Sequence, residues 1–226
     1  MLDWGCCNKL SDVQRADTLL YWFLPEFDFS SVSIADYEHF RAQKMSKARF
    51  LEFERGRQAL RLVLGSHLKA GFDIENELSG RLVVVARESV EVSLSHFGCD
   101  VLVGVSFDGR VGVDILKIKV VDSLRLAKRI LQDAEFKEWV SVAAVEQSKN
   151  ILLYWSIKEA MIKCVGGSGW QMKEWRLSFN GVFCKGYNAK LQQCCYAIWS
   201  IVDEQFIVAV AKLDQSIFNG VTCIKA

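Results

Sequence analysis

Hydrophobic positions change their period several times along the chain, and each change predicts a new kind of element. Residues 34–71 carry apolar side chains at helical spacing, with Phe50, Phe53, Leu60, Leu62, Leu64 and Leu68 interleaved by Arg49, Arg57 and Arg61, a pattern for two helices. From Leu82 the runs become β-branched or alternating, over residues 82–85, 90–95 and 101–107, and these predict strands. Asp108-Gly109 then separates residues 101–107 from 110–115, and that dipeptide favours a tight two-residue hairpin between the two arms. Helical spacing returns over residues 123–131 and 134–144 and from about residue 149 to 165, where Gly166-Gly167 supplies a stop. Residues 175–179, 182–187, 195–202 and 206–211 read as strands, with turn residues Asn180-Gly181 and Asp203-Glu204 between them.

The order is therefore helices, strands, helices, strands. It predicts an α+β protein built from two halves of similar length, residues 1–107 and 108–226, meeting near the Asp-Gly turn. No internal repeat is visible. A single proline, Pro25, and the lack of a Gly/Ser-rich stretch leave no sign of a flexible linker.

Composition narrows the function. The 226 residues are 51% hydrophobic and 24% charged, which is enough apolar material for one or two compact units and excludes a disordered chain. With 28 basic against 27 acidic residues the balance does not suit a general nucleic-acid binder, so an anionic ligand has to be met by a local cluster. The eight cysteines contain no Cys-x-x-Cys pair, and none of the three histidines (His39, His67, His96) lies close to two of them. Reduced, mostly packed thiols are expected rather than structural zinc. The amino terminus does not read as a secretory signal and no apolar run approaches membrane-spanning length, so the expectation is a cytoplasmic protein with no membrane partner.

Candidate chemistry concentrates in Trp155-Ser156-Ile157-Lys158-Glu159-Ala160-Met161-Ile162-Lys163. On a helix Glu159 and Lys163 share one face, with Trp155 one turn before. Such a pair is commonly a routine surface ion pair. Here the flanking Ile151-Leu152-Leu153-Tyr154 and Ala160-Met161-Ile162 are dense in apolar residues, and charges on a largely buried helix need partners or a function. Asp114, in the buried-looking run Val111-Gly112-Val113-Asp114-Ile115, supplies a second, isolated acid.

Four stretches in order resemble the 4′-phosphopantetheinyl transferases of the surfactin-synthetase-activating type. Gly80-Arg81-Leu82 stands where that family has Gly-Lys-Pro, and Ser93-Leu94-Ser95-His96 matches its Ser-His segment. Gly112-Val113-Asp114-Ile115 matches its metal-binding strand, and residues 155–163 match its Trp-x-x-Lys-Glu-x-x-x-Lys helix; Ala127-Lys128-Arg129-Ile130-Leu131 also fits between them. Each piece is weak alone, and order and spacing make the likeness specific.

The resemblance implies two pseudo-symmetric α+β halves with the active site in the cleft between them. It also implies transfer of phosphopantetheine from coenzyme A to a serine of an apo acyl or peptidyl carrier protein, with Mg2+ as cofactor, by a chain that acts as a monomer. Asp114 and Glu159 would hold the metal; Glu159 is the general-base candidate and Lys163 would face the departing nucleotide. Ser95 and His96 would hold the 3′-phosphate of coenzyme A, joined by Arg81 in place of the family's lysine. Among Arg41, Lys44 and Lys47, Arg41 is the choice for the residue near the adenine. Lys158 points some 100° away from Glu159 around the helix, either serving the pantetheine arm or reaching solvent. Trp170, Met172 and Trp175 either help to dock a carrier or belong to the core. Leu116 departs from relatives that carry a glutamate there, and the expectation is activity with weaker metal binding; Leu116 also motivates one alternative, a catalytically degenerate binder of coenzyme A or carrier, and a further alternative is a domain in which Asp114, Glu159 and Lys163 form only an internal ion-pair network.

Overall fold

The apolar runs assemble into two five-stranded sheets that pack face to face. The computed structural model describes residues 2, 4–6, 17–214 and 221–226. The first part of the chain forms β1 (Trp4–Cys6), β2 (Thr18–Phe23), α1 (Asp36–Ala42), α2 (Lys47–His67), β3 (Asp73–Asn76), β4 (Leu82–Val85), β5 (Glu91–Phe97) and β6 (Asp100–Ser106). The second forms β7 (Val111–Lys117), α3 (Ser123–Ile130), α4 (Asp133–Val140), α5 (Ala144–Val165) and a 3-10 turn over Gly169–Glu174. It ends with β8 (Trp175–Asn180), β9 (Phe183–Asn188), β10 (Gln193–Val202), β11 (Phe206–Lys212) and β12 (Val221–Lys225). One sheet runs β1-β12-β2-β6-β5, the other β7-β11-β10-β9-β8, and β3 and β4 make a separate ribbon. The class is mixed α+β, as the order of periods implies.

Amphipathic burial sets the layers. Ala59, Leu60, Val63 and Leu64 of α2 pack on Leu19, Tyr21 and Val103 of the first sheet. Ile157, Ala160 and Met161 of α5 pack on Ala197, Ala209 and Ala211 of the second. The remaining faces meet through Leu20, Trp22 and Leu102 against Val113, Val208 and Val210. Period-two alternation puts successive strand residues on opposite faces, so one strand serves both layers. Helix α5 starts at Ala144, five residues before its predicted start, and stops at Gly166, whose φ of 79° is the left-handed cap expected of the Gly-Gly pair.

Asp108-Gly109 does not close a hairpin. β6 pairs with β2 and β5, whereas β7 pairs with β11, so the two predicted arms part into different sheets. The physical cause lies in what the turn residues bind. The carboxylate of Asp108 accepts from Ser106 Oγ at 2.6 Å and from Nζ of the fully buried Lys212, which also donates to Thr18 Oγ1 at 2.7 Å. This cluster ties the first sheet to β11 and carries the chain across. The last strand, β12, returns to the first sheet in parallel with β2; no run in the sequence announced it, or β2.

Where β5 meets β7 the two sheets join without a backbone ladder. Ser93 Oγ accepts the Val113 N–H at 3.0 Å, and Ser95 Oγ accepts the Ile115 N–H at 3.3 Å. On the other side of β7, Gly112 lets α5 come close: a Cβ there would stand 1.9 Å from the Ala160 carbonyl oxygen. Strand β7 is thus held between Ser95 and α5, which positions its one acid.

Cys164, Cys184 and Cys195 are buried unbridged thiols and Cys99 an exposed one; Cys7 lies outside the described residues. Burial pushes the Cys184 thiol up to about 12. Among the described residues no helix is long and apolar enough to cross a membrane.

Candidate active site

Asp114, Ser95 and Lys163 form a closed triangle at the junction of β7, β5 and α5. Asp114 Oδ1 accepts from Ser95 Oγ at 2.8 Å and from Lys163 Nζ at 2.8 Å, while Lys163 Nζ also donates to Ser95 Oγ at 3.0 Å and to the Val113 carbonyl at 3.1 Å. Strand alternation turns Asp114 toward α5 on the same face as Gly112, and the close approach at Gly112 brings the helix within the lysine's reach. Among the described residues no hydrogen bond reaches Asp114 Oδ2.

Glu159 stands one turn before Lys163, and among the described residues nothing donates to its carboxylate. Burial pushes its pKa above the ordinary glutamate value, the Asp114 charge adds to the rise, and Lys163 opposes it. The segment following α5 folds back over this acid, since a Cβ on Gly169 would lie 3.4 Å from Glu159 Oε1. Two interacting carboxylates, one desolvated and one with a bare oxygen, are a donor set for a hard cation.

The triangle forms one end of a cavity of about 460 Å3 that extends to α2 and the β3–β4 ribbon, where Arg41, Arg49, Arg57 and Asn76 line it. His96 is in the wall between, with Nε2 3.3 Å from Arg49 Nη1 and 3.9 Å from Glu52. A second cavity of about 220 Å3 shares Lys163 with the first and is lined by Ser93, Arg81 and Gly166-Gly167. The structure thus brings Asp114, Ser95, His96, Lys163 and Arg41 to one cavity, with Glu159 beside it and Arg81 in the adjoining one. Arg81 is engaged by Glu91 and, at 3.4 Å, by Glu77.

Lys158 does not join them. It is fully buried, donating to Glu135 Oε2 at 2.7 Å and to the Ile130 carbonyl at 2.8 Å. The rotation that takes it off the Glu159 face carries it into the core, where a paired acid awaits, and neither the cleft nor solvent is within its reach. Met172 and Trp175 are core residues, 2% and 0% exposed, whereas Trp170 is 86% exposed with the Arg129 guanidinium 5.4 Å from its ring centre. Arg49, Arg57 and Asn76 were not singled out from the sequence as site residues. For the two arginines the only signal there was their recurrence inside an apolar row of α2, which also describes an ordinary amphipathic helix, and Asn76 had none.

Leu116 shares the Asp114 face of β7 but packs in an apolar cluster with Leu152 and Ile207, so position 116 adds no third carboxylate to Asp114 and Glu159. Among the described residues no group of three or more His, Cys, Asp or Glu is placed to hold a metal. Two carboxylates still meet the requirement of a small hard dication, which completes its octahedron with water and substrate phosphate oxygens. The residues present fit that group.

The family model of the 4′-phosphopantetheinyl transferase superfamily matches residues 110–211, a stretch that runs from β7 through β11 and includes Asp114, Glu159 and Lys163. Over that stretch, just under half of its length, the chain is similar to the 4′-phosphopantetheinyl transferase superfamily. It is similar to the 4′-phosphopantetheinyl transferase psf-1 of Bacillus pumilus, 39% identical over 92 residues, or 41% of this chain and 39% of that protein. It is also similar to the 4′-phosphopantetheinyl transferase HetI of Nostoc sp., 27% identical over 172 residues covering 70% and 69% of the two chains. The 4′-phosphopantetheinyl transferase AcpT of Escherichia coli is 36% identical over 81 residues, 35% of this chain and 42% of its own length. Two of these three alignments span less than half of the relative. The superfamily match covers the carboxylates and Lys163 but stops short of Ser95, His96 and the arginine end of the cavity.

Proposed function

We propose that the protein transfers phosphopantetheine from coenzyme A to a serine hydroxyl of an apo carrier protein, releasing adenosine 3′,5′-bisphosphate. The observation that carries this reading is Asp114, locked by Ser95 and Lys163 at the end of a cavity whose far wall is lined by arginines, with the desolvated Glu159, to which no described residue donates, beside it. Fold and relatives support it; the names of psf-1, HetI and AcpT describe that activity in those proteins.

In this reading Asp114 and Glu159 hold Mg2+, which when bound neutralises pyrophosphate charge and polarises the phosphorus under attack. Glu159, ionised, takes the proton of the incoming serine hydroxyl as its oxygen bonds to the phosphorus of the pantetheine phosphate, and the bond from that phosphorus to the nucleotide's bridging oxygen breaks. Lys163 places its ammonium between the two cavities, where it stabilises charge on the departing nucleotide. Ser95 orients Asp114 and Lys163, and His96 with Arg41 receives the nucleotide. Arg81 would approach from the adjoining cavity. The same reading implies that residues 1–107 form the nucleotide half and 108–226 the metal and carrier half of a pseudo-symmetric pair. It also implies a protein that works in the cytoplasm and needs no second copy to complete its site, since both carboxylates and the lysine come from one chain.

The test is incubation of the protein with coenzyme A, Mg2+ and an apo acyl or peptidyl carrier, followed by weighing of the carrier. A phosphopantetheine mass gain that disappears with chelator is the expected result; gain that survives chelation overturns the metal assignment. The apolar setting of Leu116 favours one second reading, a binder that no longer transfers. Coenzyme A binding with no mass gain on any of several carriers would establish it.

A further inference from the structure

Arg129 is an exposed cation whose named partners are two indole rings. Its guanidinium carbon lies 5.4 Å from the ring centre of Trp170 and 5.9 Å from that of Trp155, and among the described residues it makes no hydrogen bond or ion pair. A planar guanidinium in that position is placed by its faces, stacked on the rings, rather than by its donors. Trp170 is the less expected partner. At 86% exposed it gains almost nothing from burial, so apolar packing does not explain where it sits.

The stack ties together three elements around the candidate base. Trp155 stands one helical turn before Glu159 on the same face of α5. Trp170 follows Gly169, whose added Cβ would meet Glu159 Oε1 at 3.4 Å, and Arg129 comes from α3. Between the end of α5 and the buried Met172, the returning segment has few other ties. The Gly166 and Gly167 N–H groups donate to the Lys163 and Ile162 carbonyls at 3.3 and 2.9 Å. Ser168 and Gln171 bond to each other, backbone to backbone at 2.9 Å and from the Ser168 N–H to Gln171 Oε1 at 2.8 Å, which shapes the turn without fastening it to the helix. Bracing of α3 is the ordinary alternative role for Arg129. That helix is already docked through Ala127 and Ile130, both fully buried, and through the Ile130 carbonyl that accepts from Lys158, so it does not need the arginine to hold its place.

Taking the transferase reading as its basis, we infer that Arg129 is a positioning residue: clasped between Trp155 and Trp170, it holds residues 166–170 down over Glu159, so that the carboxylate keeps one orientation and water is kept from that side. Arg129 touches no reacting atom in this role. It acts through Trp170 and the backbone of Gly169. Because Arg129 and Trp170 are both exposed, their substitution does not put folding at stake.

The test uses the full chain as native protein, Arg129→Gln, Trp170→Ala, Arg129→Lys and the double variant of the first two, with two measurements. Amide hydrogen exchange over residues 166–171, without substrates, should speed up several-fold in Arg129→Gln and in Trp170→Ala while the melting temperature stays in place. In transfer from coenzyme A to an apo carrier, kcat should fall by about three- to tenfold, the scale of one exposed cation–π contact, with the KM values for both substrates unchanged. The double variant should fall no further than the weaker single one, since both undo the same stack. Arg129→Lys, which keeps the charge without the planar face, should lie between. Unchanged exchange in both single variants, faster exchange with native kcat, or losses that multiply in the double variant overturn the inference and leave the transferase reading standing. So does a rise in KM for the carrier alone, which would make Arg129 a docking contact. A native protein that transfers nothing overturns that reading and the positioning role with it.

Discussion

Lys158 and Lys163 lie on the same helix, each beside a carboxylate, and the difference between them is in what the carboxylates have left over. Glu135 is saturated: Oε2 takes Lys158 Nζ and the Gln132 N–H, and Oε1 takes the Leu177 N–H. It ties α4, α5 and β8 together with no accessible charge, side-chain exposure being 0% for Lys158 and 2% for Glu135. Asp114 keeps one oxygen bare, its lysine is 29% exposed, and a second acid, Glu159, waits alongside without a donor. A pair that exhausts its hydrogen bonds is a brace; a pair that keeps unspent ones has room for a ligand.

The sharpest way to break this contrast is to remove the unspent acid. Glu159→Gln should cut transfer by about 10²–10⁴-fold, the range for loss of a general base, with the melting temperature not lowered. A fall in melting at pH 7.5 with activity retained would make Glu159 a structural partner. At the brace the readout should be reversed. Lys158→Met strands Glu135 in the core and should cost about 3–5 kcal/mol of stability, measured by denaturant unfolding. The double variant with Glu135→Leu should recover much of that loss. If Lys158→Met instead unfolds normally and loses turnover, the lysine reaches substrate and the contrast collapses. Lys163→Met should lower turnover by about 10²–10³-fold, the scale of one transition-state charge contact, with a smaller effect on stability than Lys158→Met because its ammonium is already partly hydrated.

The sequence carried more of this site than of the frame around it. Asp114 and the 155–163 helix were legible because spacing on a strand and a helix fixes which side chains share a face, and Ser95-His96 because a strand followed in register. Lys158 was legible only in direction; that its direction ends at Glu135 depends on how α4 docks, a tertiary fact. The Asp108-Gly109 dipeptide pointed to a hairpin on local grounds, and the buried Lys212, more than a hundred residues away in sequence, overrode it. Strand β2 went unread because a run buried at every position shows no alternation to distinguish it, and β12 because its five residues, partly exposed and partly buried, are too short to set a period. Arg57 was hidden by its neighbours: in a row of apolar and basic residues, nothing local tells a cavity-lining guanidinium from one that shields the core.

The smallest effect tests the comparison most finely, because it asks for opposite signs from function and stability in one variant. Glu159 has a folded-state pKa raised above the ordinary 4.5, by burial first and by Asp114 second. The folded protein therefore binds this proton more tightly than the unfolded chain does. The stability it contributes is fully present below pH 4.5 and is lost as pH rises through the raised folded value. Glutamine does not titrate, so in chelator Glu159→Gln should melt above the native protein at pH 7.5, and the gap should close as pH falls toward 4.5. Added Mg2+ should narrow the gap from the other side, raising the melting temperature of the native protein and not of the variant. A gap of the opposite sign at pH 7.5 would mean that Lys163 outweighs burial at Glu159, which would turn the open site into a second brace.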